Sequence, residues 1–339
     1  RFSRKEFTPK TSFTIVVPFR NEKENLPNLL HSISLLNYPK ELVEVILVDD
    51  DSVEVFSVQD LVFSLKVIKN ERKSNSPKKD AIETAIQIAK HDWIITTDSD
   101  CFVQKDWLAI YDQYIQENEV EMVASGVCYV PKSGFLSAFQ NLDFLSLQGA
   151  TIGSFGIEKP FMCNGANFAY SKSFFNELNG FQGNETIASG DDVFLLQKAV
   201  TAAPKKVGFL LAKESIVATK SVETWTELFQ QRVRWASKST GYSSSYGKIL
   251  ALVVFGGNLS WVLSFLLWLV GLLDQNIFML FVAFKFLIDF ILIYKTANFF
   301  ESKLQYVLAS SFLYPFFSVS VAVYSLFGKY SWKGRMFRK

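Results

Sequence analysis

Apolar residues form two kinds of run along the chain. In the first two-thirds they are short and separated by amphipathic stretches. Phe13–Pro18 (FTIVVP), Val43–Val48 (VEVILV), Leu65–Lys69 and Trp93–Thr97 (WIITT) are brief and rich in β-branched side chains, and they predict strands. Glu24–Leu36 and Lys79–Lys90 carry apolar positions at helical spacing and predict helices between those strands. Strands alternating with helices predict a mostly parallel, three-layer α/β sheet. In such a sheet a ligand sits beyond the carboxyl ends of the strands.

From residue 249 the pattern changes. Ile249–Leu273 has 25 residues without a charge, and Leu304–Phe327 has 24. Between them Ile277–Tyr294 is interrupted only by Lys285 and Asp289. A spanning helix needs about 20 apolar residues, so segments 249–273, 277–294 and 304–327 are three transmembrane candidates. Asp274-Gln275-Asn276 predicts a tight turn between the first two. Lys285 and Asp289 are four residues apart on one helix face and can neutralise one another. The division this predicts is a domain over 1–248, with an interfacial helix near 225–248, and a membrane region over 249–339.

Charge sharpens the division. The 35 Lys+Arg against 33 Asp+Glu give a net +2, too little cationic excess for a nucleic-acid binder. Residues 249–339 hold eight Lys+Arg against three Asp+Glu, a net +5, which leaves 27 against 30, or −3, for residues 1–248. With 1–248 in the cytosol, three spans carry the basic tail (Lys329, Lys333, Arg335, Arg338, Lys339) outside, against the positive-inside tendency. A break at Pro315 would make the third segment re-entrant and return the tail to the cytosol. Arg1, Arg4 and Lys5 suit either the cytosolic flank of a preceding membrane helix or an ordinary charged terminus. Cys101, Cys128 and Cys163 lie far apart without metal spacing and fit reduced thiols. With His31 and His91 the only histidines, a histidine zinc site or a Ser-His-Asp triad is disfavoured.

Polar residues gather at the predicted strand ends: Arg20-Asn21-Glu22, Asp49-Asp50-Asp51 and Asp98-Ser99-Asp100. Parallel strands would set all three along one rim. Crowded carboxylates repel unless a cation neutralises them, and Asp98-x-Asp100 suits Mg²⁺ or Mn²⁺, which prefer carboxylate, water and phosphate oxygens. Ser189-Gly190-Asp191-Asp192 precedes the apolar run Val193–Val200, so an aspartate there is either a helix cap or a general base beside a flexible glycine. Gln231-Arg232-Val233-Arg234-Trp235 lies just before the first membrane candidate and suits an interfacial helix, with Trp and Arg at the headgroups.

In order and spacing these motifs resemble the membrane-bound branch of the family 2 glycosyltransferases with a GT-A fold. The resemblance runs from residue 13 to about residue 240 and rests on VVPFRNE (16–22), VDDDS (48–52), PKKDAI (77–82), DSDC (98–101), NGANFAY (164–170), GDD (190–192) and QRVRW (231–235). It implies that Glu22 and Asp49 or Asp50 contact the base and ribose of a nucleotide-sugar, that Asp98 contacts the nucleotide with Lys78 near it, and that Asp191 lies with the acceptor- or diphosphate-binding residues. Asp100, beside Asp98, would ligate a divalent metal bridging the diphosphate. Asp192 would deprotonate the acceptor hydroxyl. Gln231, Arg234 and Trp235 match QxxRW, which holds the diphosphate and shapes the acceptor site. Two departures stand out: Asp191-Asp192 replaces the usual Glu-Asp, and Asp51 replaces a customary glycine.

The activity so implied is inverting transfer of a sugar, from a UDP-sugar by resemblance, to a hydroxyl of a lipid or lipid-linked glycan. It would occur on the cytosolic face of a membrane, the inner membrane in a bacterium. A processive polysaccharide synthase is the alternative, although three segments are few for a secretion channel. A nucleotidyltransferase on the same rim, releasing pyrophosphate, and a non-catalytic membrane scaffold stand further off.

Overall fold

A computed structural model describes residues 1–53, 63–184, 190–238, 241–327, 330–332 and 335–337. Ser189, Lys329, Lys333, Arg338 and Lys339 lie outside them, and the Arg335 side chain is likewise not described. The chain divides into two units, Arg1–Tyr129 with Ser154–Lys220 and Val130–Gly153 with Ser221–Lys339.

In the first unit, the early apolar runs form strands β1 (Phe13–Phe19), β2 (Val43–Asp49), β3 (Ser64–Lys69) and β4 (Trp93–Thr96). All pair in parallel, in the order β3-β2-β1-β4. Parallel pairing needs crossovers; helices α1 (Leu26–Ser34) and α2 (Pro77–Ile88) supply two of them. Pro18 sits in the central strand although it lacks an N–H. It is tolerated because the β1–β4 ladder has already ended at Val16 opposite Thr96.

The unit continues through β5 (Cys101–Phe102), α3 (Trp107–Glu117), β6 (Met122–Ser125) and β7 (Val127–Tyr129). Helix α4 (Phe135–Gly156) bridges the sequence between the units. Then come β8 (Phe168–Ser171), α5 (Lys172–Glu177), α6 (Asp191–Ala202), β9 (Val207–Leu210) and β10 (Val217–Thr219). Strand β8 enters antiparallel beside β4, and β6 and β9 complete a seven-stranded, mostly parallel sheet. Strands β5, β10 and β7 form a second, small sheet. Val16, Ile46, Val48 and Ile94 pack against Ala81, Ile82 and Ala85 of α2 and Leu195 and Leu196 of α6. Near-continuous apolar strands are the signature of a sheet covered on both faces.

The second unit holds residues 135–153 of α4 together with α7 (Trp225–Ser237), α8 (Ser245–Leu269), α9 (Gln275–Phe300) and α10 (Val307–Phe327). A short hairpin follows, β11 (Tyr330–Trp332) with β12 (Arg335–Phe337). Helices α8, α9 and α10 are long and apolar enough to cross a membrane. They leave large apolar side chains uncovered; Leu280 is 73% exposed and Leu308 75%. An uncovered apolar surface of this extent marks an interaction surface, and on helices of this length it is compatible with lipid.

Several sequence expectations change here. Helix α10 runs unbroken through Pro315, so the re-entrant break does not form; neighbouring helices can satisfy the backbone groups that a proline frees. The turn before α9 falls earlier than expected. Asp274 is its N-cap, accepting from the N–H groups of Asn276 and Ile277, so Gln275 and Asn276 are already helical. The helix expected near 225–248 is α7, ending at Ser237, followed separately by α8. Lys285 and Asp289 pair within α9, as their spacing predicts.

Candidate active site

The rim at the carboxyl ends of the parallel strands is stitched together by backbone bonds. Asp50 N donates to Phe19 O (2.9 Å), Asn70 N to Asp49 O (2.9 Å) and Thr97 N to Val16 O (3.2 Å). Side chains following β1, β2, β3 and β4 therefore share one edge of the sheet.

Lys78, in the first turn of α2, is the centre of one cluster. Its ammonium lies 2.7 Å from an Asp98 oxygen and 3.5 Å from an Asp191 oxygen, with its side chain 16% exposed. Burial acts to lower its pKa. The charges of Asp191, Asp98 and Asp192 override that and hold the pKa above the ordinary lysine value. Four sequence-predicted residues thus come together: Lys78, Asp98, Asp191 and Asp192.

The Asn164–Asn167 turn supports this cluster. Gly165 N donates to Asp192 Oδ2 at 2.9 Å, and Gly165 O accepts from Thr96 Oγ1 at 2.7 Å. A Cβ at Gly165 would lie 3.0 Å from Asp191 Oδ2, 3.3 Å from Asp192 Cβ and 3.4 Å from Lys78 Nζ. Only glycine fits without displacing one of them. Asn167 locks the turn from below. Its oxygen accepts from Trp107 Nε1 (3.0 Å) and Tyr111 Oη (2.9 Å), and its Nδ2 donates to Gly126 O (2.8 Å) and Ser215 O (2.7 Å). NGANFAY entered the family resemblance without individual roles, and these contacts supply them.

Neither aspartate of the pair caps α6. Gly190, at φ +87°, holds the N-cap position, so Asp191 and Asp192 fall in the first helical turn, where negative charge meets the positive end of the helix dipole. Asp192 Oδ1 accepts from Val193 N at 2.8 Å.

A second cluster surrounds buried Asp50. Its Oδ1 accepts from Asn70 Nδ2 at 2.7 Å and from Arg72 Nη1 at 3.3 Å, while Arg20 Nη1 donates to its backbone oxygen at 2.7 Å. Arg72 also reaches Asp80 at 3.4 Å. Asn70 and Arg72 were not singled out in the sequence, yet the rule that flagged the other strand ends applies to the end of β3. Asn70 Oδ1 is buried and has no hydrogen-bond partner among the described residues. Asp49 instead accepts from Ser52 N at 2.9 Å, and Glu22 from Asn25 Nδ2 at 2.6 Å. Asp51 adopts φ +63°, the left-handed conformation. That accounts for the customary glycine, and aspartate tolerates the conformation better than most residues.

Among the described residues, no group of three or more His, Cys, Asp and Glu side chains can hold a metal alone. Asp98 and Asp100 offer two half-buried carboxylates. Such a set fits Mg²⁺ or Mn²⁺ completing its shell with water and substrate phosphate. Burial, with the Asp100 and Asp98 charges, pushes the neighbouring Cys101 thiol well above its ordinary pKa. Gln231, Arg234 and Trp235 belong to the second unit, on α7.

A mostly parallel sheet with a lysine–carboxylate cluster on its carboxyl rim is an α/β domain with a candidate ligand site where such sheets place one. Residues 14–178 match the model for glycosyl transferase family 2, and this stretch of the chain is a domain of that family. The fold is GT-A-like. The mannosyltransferase PcManGT from Pyrobaculum calidifontis, solved with GDP-Man and Mn²⁺, is similar over 96% of this chain and 91% of its own, at 15% identity and a TM-score of 0.52. Poly(ribitol-phosphate) beta-N-acetylglucosaminyltransferase TarS of Staphylococcus aureus is 27% identical over 115 residues, 33% of this chain. The match spans 20%, about a fifth, of the length of that curated relative. Residues 1–349 of TarS, solved with UDP-GlcNAc, are similar over 96% of each chain, at 16% identity and a TM-score of 0.47.

Proposed function

We propose that the protein is an inverting, metal-dependent glycosyltransferase. It moves a sugar from a nucleotide-sugar, a UDP-sugar by preference, to a hydroxyl of a lipid or lipid-linked glycan at the cytosolic face of a membrane. The observation that carries this is the cluster of Asp98, Asp191 and Asp192 around Lys78 at the carboxyl rim of a family 2 domain.

The roles follow from chemistry. Asp50, held by Asn70 and Arg72 at the rim, would meet the base or ribose of the nucleotide. Glu22 and Asp49 lie on the same rim for the ribose. Asp98 and Asp100 would hold Mg²⁺ or Mn²⁺, which neutralises charge on the departing diphosphate. Lys78 supplies a fixed positive charge beside Asp98 and balances the carboxylates when donor is absent. Asp192, aligned by the Gly165 N–H, takes the proton of the acceptor hydroxyl as it attacks. A single base acting opposite the leaving group inverts the anomeric carbon. Arg234, with Gln231 and Trp235, would bind the diphosphate and shape the acceptor site, and α8–α10 would keep the enzyme beside its lipid substrate.

Replacing Asp192 by Asn tests the base. At saturating donor, turnover should fall by roughly a hundredfold or more in a folded variant, and near-normal turnover would refute the assignment. Excess chelator should abolish activity and added Mn²⁺ should restore it; full activity in chelator would refute the metal.

A further inference from the structure

Within the second unit, one buried ion pair is built around α7. Arg232 of α7 and Asp143 of α4 are both almost wholly buried, and Arg232 Nε donates to Asp143 Oδ2 at 2.5 Å. Removing two charges from water costs several kcal/mol per ion unless every donor and acceptor is engaged. Here the engagement is dense. Tyr314 of α10 hydrogen-bonds the same carboxylate. The other arm of Arg232, Nη1, donates to Gln231 Oε1, and its guanidinium carbon lies 4.3 Å from the centroid of the Trp235 ring. Phe144, next to Asp143 in α4, brings its ring to 6.1 Å from Trp235.

One guanidinium therefore touches two of the three residues of the Gln231–Trp235 motif, while its partner carboxylate anchors it to two other helices. Apolar residues would fill the same space at no electrostatic cost, so stability alone does not account for the pair. A planar group that bonds one side chain and stacks on another fixes both orientations at once.

We infer that Arg232 and Asp143 are positioning residues: the buried pair presets the Gln231 carboxamide and the Trp235 ring for substrate. This rests on the proposed role of Gln231 and Trp235 in binding diphosphate and acceptor. Neither Arg232 nor Asp143 touches substrate in this account; both act through their neighbours.

The test uses membranes carrying the full chain and measures nucleoside diphosphate release with Mn²⁺. The donor is the fastest of UDP-GlcNAc, UDP-glucose and GDP-mannose. The charge-free pair Arg232→Met with Asp143→Leu removes both ions together, so the fold should hold with Tm within about 3 °C of the parent. In that variant kcat should fall about tenfold or more, with donor KM within about threefold. The ¹⁹F resonance of fluorotryptophan at position 235, assigned through Trp235→Phe, should broaden or split. Arg232→Lys keeps the charge opposite Asp143 but gives up the second donor arm and the planar stack. It should lose kcat as well, and it decides the matter if the double variant does not fold. Parental kcat and a single sharp resonance in either folded variant would overturn the inference. Parental turnover in Gln231→Ala and Trp235→Ala would instead overturn the motif role on which it rests.

Discussion

At the scale of single residues, the site is a balance of charges around one ammonium. Lys78 has a raised pKa, so its stabilising contribution is fully present below the unfolded lysine value of about 10.4 and is lost as pH rises through the higher folded value. The stability difference between the parent and Lys78→Met should therefore stay constant from about pH 6 to 9 and shrink only above about pH 10. Thermal melts across that range would show it, and a difference that changes near neutrality would contradict it. Gly165 is the second sensitive position. Gly165→Ala places a methyl group 3.0 Å from Asp191 Oδ2, so Asp191 or Lys78 must move. Turnover should drop about tenfold with Tm little changed, since small displacements at a reacting centre are costly. A fully active Gly165→Ala variant would show that this turn does not set the site. Asp50 and Asp98 stood out in the sequence because acidic residues follow apolar runs there, whereas Asp192, which precedes an apolar run, was singled out through the family resemblance. Asn167 was not, because its partners Trp107, Tyr111, Gly126 and Ser215 lie far away along the chain.

At the scale of elements, the early strands and the uncharged late segments were readable, whereas helices α3 and α4 were not singled out despite their length. Strands β1, β2, β3 and β4 fell within a residue or two of expectation, while α8 and α10 overlap the expected segments 249–273 and 304–327 with ends shifted by up to four residues, because each is a continuous apolar run. Strands β5 to β10 have two to four residues each and are set by long-range pairing, such as antiparallel β8 beside β4. So few residues carry no periodicity of their own. Helix α7 has a local signature of a different kind, a reciprocal capping box between Thr224 and Glu227. Thr224→Ala removes the bond from Glu227 N (3.2 Å) and should cost about 1 kcal/mol of stability. A denaturant titration would measure it. Because α7 carries Gln231, Arg234 and Trp235, turnover should become more temperature-sensitive in that variant.

At the scale of the whole molecule, the small net charge of +2 conceals an acidic stretch at −3 and a basic one at +5. The acidic share includes the rim carboxylates around Lys78, and the basic share accompanies three helices able to cross a membrane. The apolar half of the composition is likewise split between a covered, mostly parallel sheet and helices that leave large apolar side chains exposed. The long apolar helices were legible because a run of 25 uncharged residues is long enough to form one that could cross a membrane. The course of α10 through Pro315 was not, since packing rather than sequence decides whether a proline breaks a membrane helix. The central claim is that the rim of the family 2 domain catalyses sugar transfer from a nucleotide donor. The most direct test incubates membranes carrying the full chain with a panel of UDP-, GDP- and dTDP-sugars and Mn²⁺, and reads the released nucleotide. One donor should yield nucleoside diphosphate, dependent on metal and membrane lipid and abolished in Asp192→Asn; release of pyrophosphate, or of no nucleotide from any donor, would contradict the claim.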